Sequence, residues 1–215
     1  MALKNDREYR SFEMLKREKR EDDESSFLVE GYASTFEEYT LFEDDEYIWR
    51  ERIEPTAFNE TDMSDVVFLL DHTGRVYART KNGTVTLSVD EKGLFTRTDL
   101  SKTEAARGVF EDIEVGNYSQ MSFAFRVRRE DQHWDERNLQ DGKTVVTRII
   151  DRVEKVFDIS AVGFPANPTT DIGVATRSAF DGEIERLQAE RLESEKAMQS
   201  EARAKLALKF KLMEE

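Results

Sequence analysis

Residues 118–127 read YSQMSFAFRV, and their alternation decides how the rest of the chain is interpreted. At the two-residue period of a strand, Met121, Phe123, Phe125 and Val127 form one large apolar face. The opposite face carries Ser122, Ala124 and Arg126. One face is core, and the other is unusually small for a strand inside a folded domain. A solvent-facing strand would produce that pattern, and so would a strand that carries a nucleophile.

Outward from this stretch, short strand-like runs follow one another from Phe27: FLVEGYAST, EYIWRERI, DVVFLL, VYART, TVTLSV, LFTRTDL, TVVTRIIDRV and VFDISAVGF. Glycines 74, 83, 93 and 142 stand between or beside them as turn signals. The spacing predicts a mainly β sandwich or barrel with added helices, an α+β chain, and no regular βαβ alternation. One helix is expected in SKTEAARGVFEDIEVG, residues 101–116. Ser101 and Glu104 would form a capping box, Ala105, Val109, Phe110 and Ile113 the buried face, and Gly116 the stop. The polar run REDQHWDERNLQDGK, 129–143, reads as a long exposed hairpin loop.

Both ends differ from this core. Residues 1–26 are a charged extension, read as a short strand or helix followed by a solvated linker. After the proline pair in FPANPTTDIG, residues 179–215 are rich in Glu, Arg, Lys, Ala and Leu and predict a charged helix. That tail is either a solvated helix or a handle that docks on a partner.

Composition removes several function classes. The 215 residues carry a formal net charge of -14, which repels nucleic-acid phosphates. Cysteine is absent, so thiolate nucleophiles, disulfides and cysteine zinc sites are excluded. With two histidines far apart and no HExxH pattern, a zinc hydrolase is not expected; carboxylates could still bind calcium or magnesium, but no metal ligand is assigned. No Walker loop or GxGxxG is present, and no cofactor is expected. No apolar run approaches the length of a membrane span, and MALKNDREYR lacks the apolar core of a signal peptide, which points to the cytoplasm.

The remaining chemistry is that of a hydroxyl activated by an imidazole. His133 lies in the polar 129–143 run and reads as a surface residue, whereas His72 follows the buried-looking VVFLL at the mouth of a turn. Ser122 has neighbours suited to a nucleophile: Ala124 leaves space, and Arg126 shares its parity and could stabilise developing negative charge. A third group should hold the other imidazole nitrogen. Asp158 is preferred because it interrupts an apolar strand between Phe157 and Ile159, where a carboxylate requires a partner; Asp99 and Asp71 are its rivals.

The blocks EGYASTF, FLLDHTGRVYART, GTVTLSVDEKGLF, QMSFAFRV and VFDISAVGFPANP occur in an order and spacing that resembles the caudovirus prohead serine proteases, the maturation proteases of tailed bacteriophages. The resemblance spans residues 27–176. It implies His72 as general base, Ser122 as nucleophile and Asp158 as third member. It also implies the fold of the herpesvirus maturation protease, a β-barrel surrounded by helices. Members often carry glycine between the two phenylalanines after the serine, where this chain has Ala124. The implied substrates are the major capsid protein and its scaffolding segment inside an immature procapsid in the bacterial host cytoplasm, with self-cleavage as the usual end. Likeness to the herpesvirus enzymes suggests a homodimer. The competing expectation is a non-catalytic scaffold or capsid-assembly protein built on the same core.

Overall fold

The computed structural model describes residues 7–13, 27–140, 142–163 and 174–211. The chain divides into two compact units, residues 1–175 and 176–215. The first unit is mainly β. Its strands are β1 (Glu8–Glu13), β2 (Leu28–Thr35), β3 (Tyr39–Glu43), β4 (Tyr47–Ile53), β5 (Val67–Leu70) and β6 (Thr73–Arg79). They continue with β7 (Val85–Val89), β8 (Gly93–Asp99), β9 (Gln120–Arg126), β10 (Gln132–Asn138), β11 (Thr144–Ile150) and β12 (Lys155–Val162). Helix α1 (Glu104–Glu114) delivers the chain from β8 to β9.

These strands form three sheets, ordered β1-β9-β12-β5-β6, β10-β11-β4-β3 and β2-β8-β7. The described strands do not close into a single hydrogen-bonded barrel. In the five-stranded sheet β9 lies between β1 and β12, antiparallel to both, while β12 runs parallel to β5. That position explains the apolar face of YSQMSFAFRV. Met121, Phe123 and Phe125 are fully buried in one continuous core with Phe68, Ile159, Ile53 and Ile150.

The opposite face of β9 is also buried, with Ser122 at 1% exposure and Ala124 at 0%. The small residues there are not a solvent face. They are covered by other parts of the chain.

A buried ion cluster links the five-stranded sheet to the four-stranded one. Glu8 and Arg10 of β1 meet Glu51 of β4 and Arg148 of β11. Arg10 grips both Glu51 carboxylate oxygens at 2.5 Å, and Arg148 donates to Glu8 at 2.5 and 2.8 Å and to Glu51 at 2.9 Å. The Tyr39 hydroxyl donates to Glu51, and Gln132 accepts from Arg148. Two cations thus face two anions with their remaining hydrogen-bonding capacity engaged, the condition under which buried charge is tolerated. Burial alone would raise the Glu51 pKa, but Arg10 and Arg148 hold its carboxyl well below the ordinary value.

Several sequence expectations change. The 129–143 run is not a loop throughout: Gln132–Asn138 is a full strand, paired along its length with β11, and the Leu139 amide donates to the Lys143 carbonyl where the chain turns back. An edge strand draws its stability from backbone pairing, so its exposed polar side chains carry no apolar period. Helix α1 is capped by Thr103, whose hydroxyl accepts from the Ala106 amide at 3.1 Å, and not by Ser101. Its buried face accordingly holds Ala106 and Val109 instead of Ala105. The N-terminal extension contains a strand, β1. Its expected linker, 14–26, and the prolines Pro165 and Pro168 lie outside the described residues.

The described residues of the second unit lie within helix α2 (Val174–Lys211). It carries pairs one turn apart, Arg186–Glu190, Arg191–Glu195 and Glu201–Lys205, with Leu192 and Met198 exposed. Such a helix is supported by its own charge pairs and propensity, not by a sustained apolar seam. None of the described helices is long and apolar enough to cross a membrane.

Removing one member of the buried cluster strands the opposite charge in the interior. Glu51→Ala is therefore expected to lower unfolding stability by about 3–5 kcal/mol, measurable by urea titration. Because the Glu51 pKa is depressed on folding, its contribution is complete above the ordinary carboxylate range and is lost as the pH falls below it. Between about pH 5 and about pH 3 the wild type should thus lose more stability than Glu51→Ala.

Candidate active site

His72 is placed by a strained turn. β5 and β6 form a hairpin in which Leu70 pairs with Thr73, leaving Asp71 and His72 as a two-residue loop. Both have positive φ, 47° and 57°, the backbone of a type I′ turn that asparagine and glycine usually supply. Holding two non-glycine residues there costs on the order of 1–3 kcal/mol each. The Asp71 amide donates to the Ala161 carbonyl at 3.1 Å, and the Asp71 carboxylate accepts from the Gly163 amide at 3.3 Å. These bonds fasten the turn to the end of β12 and leave His72 directed at the sheet.

There its ring bridges two strands. His72 Nε2 lies 2.7 Å from Ser122 Oγ, and Nδ1 lies 2.6 Å from Asp158 Oδ1. A carboxylate can only accept, so Nδ1 carries the proton and the Nε2 lone pair faces the serine hydroxyl. Asp158 is 1% exposed, so these partners stand in for water around its carboxyl group. Ser160 adds another, donating to Asp158 Oδ1 at 3.0 Å and lying 3.3 Å from His72 Nδ1.

Sheet register explains why the face is small. Ser160 stands opposite Ser122, and Asp158 stands opposite Ala124. Ser122 and Asp158 are therefore diagonal neighbours, separated by about 7–8 Å, a span one imidazole can bridge. The ring lies over a square whose other corners are Ala124 and Ser160. Larger side chains at those corners would occupy its volume.

β1 completes the surroundings. Tyr9 pairs with Ala124 and its ring meets the His72 ring edge-on at 4.5 Å between centroids. Ser122 Oγ also lies 2.8 Å from the Arg10 backbone carbonyl, a second acceptor for its single proton.

The sequence-derived residues separate clearly. His72, Ser122 and Asp158 form one hydrogen-bonded chain, and Ala124 lies on the same face. Arg126 does not join them. It is four residues along the strand, about 13 Å from Ser122, and its guanidinium binds Glu154 at 2.5 Å. Parity put it on the right face but could not supply distance. Asp71 braces the turn, and Asp99 accepts from the Ser101 amide and pairs with Lys102 at the approach to α1. His133 is exposed and pairs with Asp151. The sequence reading missed Ser160, whose signal was its spacing of two from Asp158, and the approach of β1 to Ser122, for which no local signal exists.

A buried carboxylate, an imidazole and a hydroxyl in this order are the parts by which serine hydrolases activate an alcohol. The family model of the caudovirus prohead serine protease matches residues 13–183, and the chain belongs to that family. No curated protein and no solved structure matches it.

The bridge can be observed directly. Proton NMR of the wild type should show one low-field ring proton from His72, sheltered from exchange by Asp158. Asp158→Asn should remove it without loss of the folded spectrum, and Ser160→Val should shift or broaden it by crowding the ring.

Proposed function

We propose that the protein is a serine endopeptidase in which Ser122 is the nucleophile, His72 the general base and Asp158 the group that orients the imidazole. The observation that carries this reading is the continuous hydrogen-bonded path from Asp158 through His72 to Ser122. Membership in the prohead serine protease family supports it independently.

In this mechanism His72 Nε2 accepts the Ser122 proton as Oγ attacks the scissile carbonyl carbon. Asp158 stabilises the imidazolium that forms, and Ser160 fixes the carboxylate by donating to the same oxygen. The imidazolium then protonates the departing amine. Water, deprotonated by the same imidazole, releases the acyl group and restores Ser122. No metal or cofactor enters these steps.

The substrates in this proposal are the capsid protein and its scaffolding segment within the procapsid, and the protease itself. Kinship of the core with the β-barrel of herpesvirus maturation proteases, including their homodimer, belongs to the same proposal. It is supported by the mainly β architecture and by the order of histidine before serine.

Incubation of the chain with its matching capsid protein, followed by mass spectrometry, tests the proposal. The wild type should yield defined fragments. Ser122→Ala should yield none while keeping its fold, and Asp158→Asn should slow cleavage by about 10⁴-fold. Cleavage that persists in Ser122→Ala would remove Ser122 as the nucleophile.

A further inference from the structure

β1 is an edge strand whose backbone lies against the strand that carries Ser122, with Ser11 opposite Ser122 and Tyr9 opposite Ala124. It leaves Ser122 almost wholly buried, and it places the Arg10 carbonyl 2.8 Å from Ser122 Oγ. An endopeptidase must bring a substrate carbonyl to that same oxygen. Five of the six β1 residues also precede the family match, which begins at residue 13 and takes in only the last of them.

Those five residues bring a balanced pair of charges. Glu8 and Arg10 project on one face of β1, two residues apart, and meet Arg148 and Glu51 respectively. If β1 withdraws, Glu51 and Arg148 still contact each other at 2.9 Å, and Tyr39 still donates to Glu51. The site left behind is therefore charge-balanced, and β9 becomes an edge that can pair with an incoming peptide.

We propose that the edge of β9 is a peptide-binding site and that residues Glu8–Glu13 are its occupant in cis. A peptide replacing them adds antiparallel to β9. It carries an acidic and a basic side chain two residues apart, the acid on Arg148 and the base on Glu51, which sets the carbonyl of the basic residue at Ser122. The binding site stands on strand pairing and charge; its role in selecting substrates rests on the protease reading above.

The test separates the two. In the Ser122→Ala background of the full chain, Tyr9→Ala with Arg10→Ala loosens β1. Fluorescence anisotropy with the labelled peptide REYRSFE, residues 7–13, then reads the site. The loosened chain should bind at least about tenfold more tightly than Ser122→Ala alone, because the competing strand is weakened. A peptide of equal composition with Glu8 and Arg10 exchanged should bind at least about tenfold more weakly, because each charge then meets its like.

Equal binding by the loosened and parent chains, or indifference to the exchange, would overturn the proposal. Binding as expected while wild-type protein fails to cleave capsid protein would defeat the protease reading and leave the strand site standing. Should the loosened chain not fold, amide exchange in the wild type decides the matter. β1 amides should exchange at least about tenfold faster than those of β12, and equal protection would make β1 a fixed strand.

Discussion

The structure depends on one diagonal across two antiparallel strands. Ser122 and Asp158 are neither adjacent in sequence nor directly opposite in the sheet, and a single imidazole spans them. That span requires β9 and β12 in one register, since a slip of one residue would send Ser122 into the apolar core. It requires small side chains at the two remaining corners, which Ala124 and Ser160 provide. It also requires an imidazole brought to that face from the neighbouring β5–β6 hairpin, which the Asp71–His72 turn supplies at the cost of two left-handed residues. Strain kept in a turn that holds a polar side chain over a sheet is characteristic of functional sites.

The buried ion cluster has a different role. Buried ion pairs seldom add net stability over apolar packing, so their retention points toward specificity of pairing. Here the charges fix which residues of β1 lie against which of β4 and β11, and hence which backbone carbonyl reaches Ser122. The edge strand is defined by side-chain electrostatics as much as by its backbone ladder.

Much of this was legible in the sequence for physical reasons. The alternation of MSFAF disclosed a core strand with an unusual second face, and Asp158 stood out because an aspartate in an apolar strand needs a partner. His72 was visible as the residue that follows a buried run. The recurring runs gave a mainly β core, but not its three sheets, because strand partners are non-local. Polar β10 was hidden because backbone pairing leaves no apolar period, and the Thr103 cap because Ser101 offered the same chemistry two residues earlier. Glu51 occupies the buried parity of YIWRERI between Trp49 and Ile53, a local anomaly that could have been noticed. Its partner Arg10 could not, since nothing near residue 10 announces residues 51 or 148. Arg126 shows the limit of parity, which gives a face and not a distance.

The most direct test of the account is covalent capture of the nucleophile. The full chain, exposed to a fluorophosphonate and digested, should yield a single adduct, on the peptide that contains Ser122. The same adduct should be absent from His72→Ala, because the hydroxyl then has no base. Failure of Ser122 to react on prolonged exposure, or reaction at an undiminished rate in His72→Ala, would contradict the account.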